Sequence, residues 1–521
     1  MQGNAYITIK KFALMLKYNS TKQLEIFEFE HPFQTDLDPG NRWVKLSKLL
    51  PWDELVDIYS QSLSRNKGKY GIDGRLAVGC LIIKHKLGLS DREVIETLKE
   101  NIYLQYFVGF KGFKKEAAFD ASLFVEIRKR MGSEKFDQMN EAIIRKSEEI
   151  RPGNKKRKKN NESNDDNNQS GSKGIKKSGK LKIDATVSDQ MIAFPTDLGL
   201  LNNARKESER LIDLLYKESG IEKKPRTYRK EARKAYLSIS KKKRKTKSEI
   251  RKAVGKQIRY LRRNISSIHK LLDLFEGKSF PLTARDQKIL WVIQLLYSQQ
   301  EEMYREKKHT ISNRIVNIYQ PYVRPIPRGK EKVSVEFGAK LGVSEVEGFV
   351  RINNLSWEAY NESTDLKMQV EEYREQYGCY PETVLADKIY PTRDNRNWLK
   401  ALGIRINGKP LGRPPENESY YKKNKRRKEN NQRNHIEGKF GQAKNAYGLS
   451  RIRSRRQDTS ESWISAIFFT MNLVKLAKIA NIFIKFTLQS IKTMQAILKH
   501  YSSKRYLEFF DLRPVKIPAS Y

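Results

Sequence analysis

Hydrophobic and polar positions follow three regimes along the chain. From residue 43 to about 150, apolar residues recur at intervals of three and four, the period of amphipathic helices. Within this stretch Ser90-Asp91-Arg92-Glu93 reads as a capping box ahead of Val94, Ile95 and Leu98. A further helix is expected with Asp120 as N-cap, Phe124 and Ile127 inward, Arg128, Lys129 and Arg130 outward, and Gly132 as C-cap. At Leu181 the period changes to two. The run LKIDATV places Leu181, Ile183, Ala185 and Val187 on one face and Lys182, Asp184 and Thr186 on the other, which predicts a strand. Residues 197 to about 321 return to a helical, densely basic pattern, and strand patterns resume at 333–343 and 348–353. A helix over about 364–377 leads into a short buried strand, 383–386, that closes on Asp387.

The last strongly patterned stretch is RNHIEGKFGQAK, residues 433–444. As a helix it sets Arg433 and Glu437 one turn apart, with Lys444 further along, beside an apolar stripe of Ile436, Phe440 and Ala443. A carboxylate between two cations suits a metal ion beside a polyanion; a plain surface helix with one ion pair fits the same spacing. Gly438 and Gly441 interrupt the helical pattern, as close approach of a ligand or tight packing on a sheet would require.

Segments with little to bury mark the boundaries. Residues 151–180, with KKRKK and NNESNDDNNQSGSKG, read as a flexible basic linker. The expected plan is an N-terminal arm over 1–42, a helical domain over 43–150, the linker, and a mixed domain over 181–460. That last domain carries a helical insertion at about 198–326, and a C-terminal helical segment follows over 461–521. The small helices before residue 150, with their basic outer face, fit a helix-turn-helix DNA reader or an ordinary helical bundle. Apolar residues are dense from 464 to 488, but Lys475, Lys478 and Lys485 recur among them. The expectation is a buried or partner-facing helix, with no membrane partner.

Charge narrows the function classes. Lysine and arginine total 103 against 61 acidic residues, a formal charge of +42, which favours nucleic acid as partner. Cys80 and Cys379 have no metal-binding spacing, and the six histidines are scattered. This argues against a disulfide scaffold or a zinc site and leaves a hard, oxygen-ligated metal as the one to expect. Asp184 in mid-strand, Asp387 just past a strand end and Glu437 on the late helix then form a candidate carboxylate triad. Crowded carboxylates repel, and divalent cations remove that penalty. Arg433, Lys444, Arg393 and Arg396 are candidates to meet phosphates beside the triad, as are Arg128, Lys129 and Arg130 in the helical domain. Surface solubility is the alternative meaning of all these basic residues.

Several motifs in order resemble one family. They include LDPGNRWVKLSKLLPWDEL, LSDREVIETLKENIYLQYFVGF and DASLFVEIRKRMG in the first part. DATVSDQMIAFPTDLGLLNNAR, RGKEKVSVEFGAKLG, YPETVLADKIYPTRDNR and RNHIEGKFGQAKNAYGLSRI follow. The chain resembles the DDE transposases of bacterial insertion sequences, of the family-five type with a ribonuclease H-like core. The resemblance implies an α+β, multi-domain protein: an N-terminal helical DNA-binding domain, then a ribonuclease H-like mixed α/β catalytic core with a long helical insertion. It implies Asp184, Asp387 and Glu437 as catalytic and metal-binding residues, with two Mg²⁺ or Mn²⁺ ions. It implies double-stranded DNA partners (element ends and target), a homodimer in the synaptic complex, and a cytoplasmic, nucleoid-associated location. Arg433 and Lys444 match the family's tyrosine-arginine-glutamate-lysine signature, but Asn430 stands where the tyrosine would fall. The extra length lies before Asp387, whereas relatives often carry a β-rich insertion after it. A ribonuclease H-like nuclease or resolvase without strand transfer, and a catalytically idle DNA-binding descendant, are the rival readings.

Overall fold

The structure is a computed structural model and describes residues 36–61, 63, 70–151, 176–327, 335–408, 412 and 419–481, together with 15–17, 30 and 494. Most of the expected arm, most of the expected linker and most of the expected C-terminal segment lie outside the described residues.

The first body is helical because its apolar residues share faces. α1 (Arg42–Leu49), α2 (Trp52–Ser60), α3 (Gly74–Leu87), α4 (Asp91–Glu100), α5 (Ile102–Phe107), α6 (Leu123–Met131) and α7 (Glu134–Ile150) surround one apolar cluster. α3 is buried almost throughout, so it runs through the middle. The capping box at Ser90 and Glu93 is present. α6 begins two residues later than expected, with Ser122 as N-cap, because Asp120 spends its carboxylate on the Ser122 amide at 2.8 Å. Gly132 closes it with φ 60°, as the glycine predicted. A strand pair that the pattern did not suggest, β1 (Met15–Lys17) and β2 (Tyr70–Asp73), leads into α3, and Ile72 of β2 packs against the bundle's core.

The second body is a mixed sheet. Its central strand is β3 (Lys180–Asp189), the predicted LKIDATV run. β4 is Arg324–Pro327, β5 Val335–Val346, β6 Phe349–Ser356, β7 Thr383–Leu385 and β8 Arg405–Ile406. On one side β3 pairs antiparallel with β5, which is flanked by β4 and β6; on the other it pairs parallel with β7, then β8. Strands buried on both faces need apolar runs on both. One face of this sheet carries Leu181 and Ile183 with Leu366 and Val370 of the following helix, and the other carries Leu341 and Val343 with Ile436, Phe440 and Ala443.

Between β3 and β4 stand α8 (Asp197–Ser219), α9 (Arg229–Ser240), α10 (Lys247–Asp273) and α11 (Ala284–Glu306). Their apolar stripes form a cluster of their own, from Leu198 to Ile318. After the sheet strands come α12 (Asp365–Tyr377), α13 (Arg393–Ala401) and α14 (Tyr420–Ala446). The basic run 422–428 is the first part of α14.

The last described helix, α15 (Gln457–Asn481), is long and apolar enough to cross a membrane, yet 67% of its most apolar window is buried in the protein. Ile464, Ile467, Phe468 and Met471 join the sheet's core, while Ala466, Phe469, Leu473 and Leu476 join the core of the helical bundle. Asn472, fully buried, donates to Asn140 of α7 at 3.0 Å and to the Val350 carbonyl of β6 at 2.7 Å. Its side-chain oxygen accepts from the Val350 amide at 2.9 Å. This helix is the shared wall of both bodies.

Candidate active site

Parallel pairing of β3 and β7 sets the site. Lys180 faces Thr383, Leu181 faces Val384 and Lys182 faces Leu385. The same register carried two residues further brings Asp387, just past β7, level with Asp184 in β3. α14 lies across both strands, seated by Ile436, Phe440 and Ala443, and so presents its adjoining polar face to them. Arg433 and Glu437 occupy one turn of that face.

The three acidic residues meet on a single cation. Arg433 Nη1 lies 3.7 Å from Asp184 Oδ2 and 4.0 Å from Asp387 Oδ1, and Nη2 lies 2.8 Å from Glu437 Oε1. Arg433 and Asp184 are largely covered, with side chains 17% and 13% exposed, whereas Asp387 and Glu437 are about half exposed at 49% and 52%. Burial pushes the Asp184 carboxyl up to about 6. The Ala185 amide, which donates to Asp184 Oδ1 at 2.8 Å, and Arg433 pull it back; Asp387 and Glu362 push it further up.

All-oxygen donors fit a hard divalent cation. As placed, the carboxylates gather on Arg433 rather than on each other, and among the described residues no group of three or more His, Cys, Asp or Glu side chains is close enough to hold a metal ion. The two half-exposed acids have room to change rotamer.

Supporting polar groups had no sequence signal beyond a turn. The side-chain oxygen of Asn407, just before Gly408, accepts from the Ala386 amide at 2.8 Å, next to Asp387. Its amide nitrogen makes a long contact, 3.4 Å, to Asn430 Oδ1 of α14. Asn430 of α14 thus lies next to the segment that holds the end of β7. Asn395 Nδ2 donates to the Tyr390 and Ser363 carbonyls, both at 2.8 Å, pinning the turn that follows Asp387.

Other expected site residues lie elsewhere. Lys444 does not join Arg433; its Nζ stands 3.6 Å from Glu336 and 3.9 Å from Asp189. Arg396 Nε donates to the Pro391 carbonyl at 2.9 Å, and Arg393 is exposed on the first turn of α13. The outward placement of Arg128 is wrong. Arg128 is 4% exposed, both terminal nitrogens donate to Asp91 at 2.9 Å, and its guanidinium lies over the Trp463 ring. Positions 124, 127, 128 and 131 form one helical stripe, so Arg128 is on the buried face. Arg130 is half-buried and hydrogen-bonded to Tyr59. Lys129 remains exposed beside Glu126, at 2.5 Å.

Two family models match this architecture. Residues 384–474, which hold Asp387, Glu437 and the first part of α15, match the family described as "Transposase DDE domain". Residues 31–130, most of the helical bundle, match one described as "Transposase domain (DUF772)". Together these two matches support a transposase with a DDE domain, in line with the resemblance carried by the sequence motifs. It is also 29% identical over 161 residues to "Uncharacterized protein ORF8 in nfe locus" of Rhizobium meliloti, covering 31% of this chain and 68% of that protein. No solved structure matches the chain.

Proposed function

We propose that the chain cuts DNA at the ends of its element and joins the freed 3′-hydroxyls to target DNA, with Asp184, Asp387 and Glu437 as the catalytic acids of a ribonuclease H-like core. The observation that carries this reading is the contact of all three carboxylates, from distant parts of the chain, with the one guanidinium of Arg433. Asp184, Asp387 and Glu437 would hold two Mg²⁺ or Mn²⁺ ions. When bound, such ions supply the positive charge that phosphoryl transfer to water or to a 3′-hydroxyl needs. Asp184 is the fixed member, held by the Ala185 amide on the central strand. Asp387 and Glu437, more exposed, are the members free to adjust. Arg433 balances the acids before DNA arrives and is placed to meet a phosphate afterwards. The helical bundle before residue 150 is the part assigned to end recognition, and a dimer is the form assigned to pairing of two ends.

Asp184→Asn and Glu437→Gln are each expected to abolish nicking of element-end DNA with Mg²⁺ while end binding stays within a few-fold. Normal cutting by either variant refutes the assignment. Joining of a pre-cut end to a second duplex separates a transposase from a nuclease that only cuts.

A further inference from the structure

After α14 the chain runs extended along the far end of β3. The Ile452 amide donates to the Asp189 carbonyl at 3.0 Å, the Met191 amide donates to the Ile452 carbonyl at 2.9 Å, and Gln190 donates through its side chain to the Ser454 carbonyl. Ile452 and Ser454 are buried, so Arg451, Arg453 and Arg455 all turn outward. Among the described residues no side-chain hydrogen bond or ion pair engages any of these three arginines, whereas neighbouring Arg456 is paired with Asp458 at 2.7 Å.

We propose that Arg451, Arg453 and Arg455 form a track for the phosphate backbone of double-stranded DNA, leading from the carboxylate site toward the helical bundle. This rests on the transposase reading. Alternate residues of an extended chain stand ~6.7 Å apart, a spacing that suits successive phosphates on one strand. Gln190, the partner of Ile452, lies six residues beyond Asp184, just past the end of β3. That is ~20 Å along the strand, so the engaged phosphates sit about six base pairs from the bond being cut. At its far end the track approaches the bundle: the charge of Arg453 reaches Lys84 and Glu93, and exposed Lys129 reaches Asp458. Met191, whose amide bonds to Ile452, is 58% exposed beside the track. Three regularly spaced, unpaired arginines on an extended segment suit the regular phosphates of a duplex better than an acidic peptide.

The test uses the full chain and a duplex of about 40 base pairs of arbitrary sequence, with affinity followed from about 50 to about 300 mM NaCl. Changing all three arginines to alanine is expected to flatten the slope of log K against log salt by about 2–3, and each single change by about 0.9. The triple lysine variant retains the slope, and Arg456→Ala leaves it unaltered. If the alanine variant folds poorly, the triple glutamine variant replaces it. An unchanged slope overturns the proposal, as does loss of binding to polyglutamate with duplex binding intact. Mg²⁺-dependent nicking by the unsubstituted chain, measured on the same preparation, keeps failure of the track distinct from failure of the catalytic assignment.

Discussion

Asp184 is a carboxylate in a place that disfavours its charge. Its folded-state pKa, about 6, lies above the ordinary value of 3.8, so the fold prefers the protonated form. Its contribution to stability is intact below about pH 4 and is lost as pH rises through about 6, leaving the charged form roughly 3 kcal/mol worse off near pH 8. Asp184→Asn should therefore raise the urea midpoint of the metal-free protein near pH 8 and change it little near pH 4. Such a gain in stability with loss of cutting is the mark of a residue kept for chemistry. Arg128 is the opposite case. Arg128→Ala should destabilise the protein by about 2 kcal/mol in urea, because Asp91 loses its bidentate partner and keeps only Lys84, while the salt slope of DNA binding holds. The two residues also differ in how legible they were. Asp184 stood out because an acid in mid-strand contradicts local propensity, whereas Arg128 hides its place, since arginine on an apolar stripe looks like one of many solvated cations.

Among the elements, α14 carries the most information. Its apolar stripe and its Arg433–Glu437 pair were readable from spacing alone, because a helix repeats every few residues. The contacts of Arg433 with Asp184 and Asp387 were not, since they depend on the parallel register of β3 and β7, which no local pattern encodes. The short strands β4 and β8 were missed for a related reason: two to four residues are too few to show a period. The glycines of α14 admit a sharper reading than before. A Cβ at Gly438 or Gly441 would meet nothing within 4 Å, so tight packing on the sheet does not explain them. Changing both to alanine should stabilise the helix by about 1 kcal/mol at each position, seen as a higher urea midpoint. If DNA comes close to that open face, cutting should fall several-fold in the same variant; unaltered cutting means that nothing needs the bare backbone there.

At the scale of the molecule, three apolar regions account for most of the architecture: the bundle, the sheet with its helices, and the helical segment between β3 and β4. Alternating and helical periods announced each region, but not how they meet. The meeting is made by α15, whose apolar residues point both ways and whose Asn472 bonds to both bodies. A dense apolar run shows that a helix is buried, not between what. Asn472→Ala should lower stability by about 3 kcal/mol, because the amide and carbonyl of Val350 lose their partner in a dry interior. It should also weaken end binding and cutting together, measured on the same preparation.

That shared wall limits how such a protein can change. New binding specificities could not arise by exchanging the first 150 residues alone, since a foreign bundle would meet a helix shaped for another surface. A working chimera would have to inherit α15 along with the bundle, and then repair its fit to the sheet. Shuffling between relatives should leave matched pairs of distant segments, changed together or not at all.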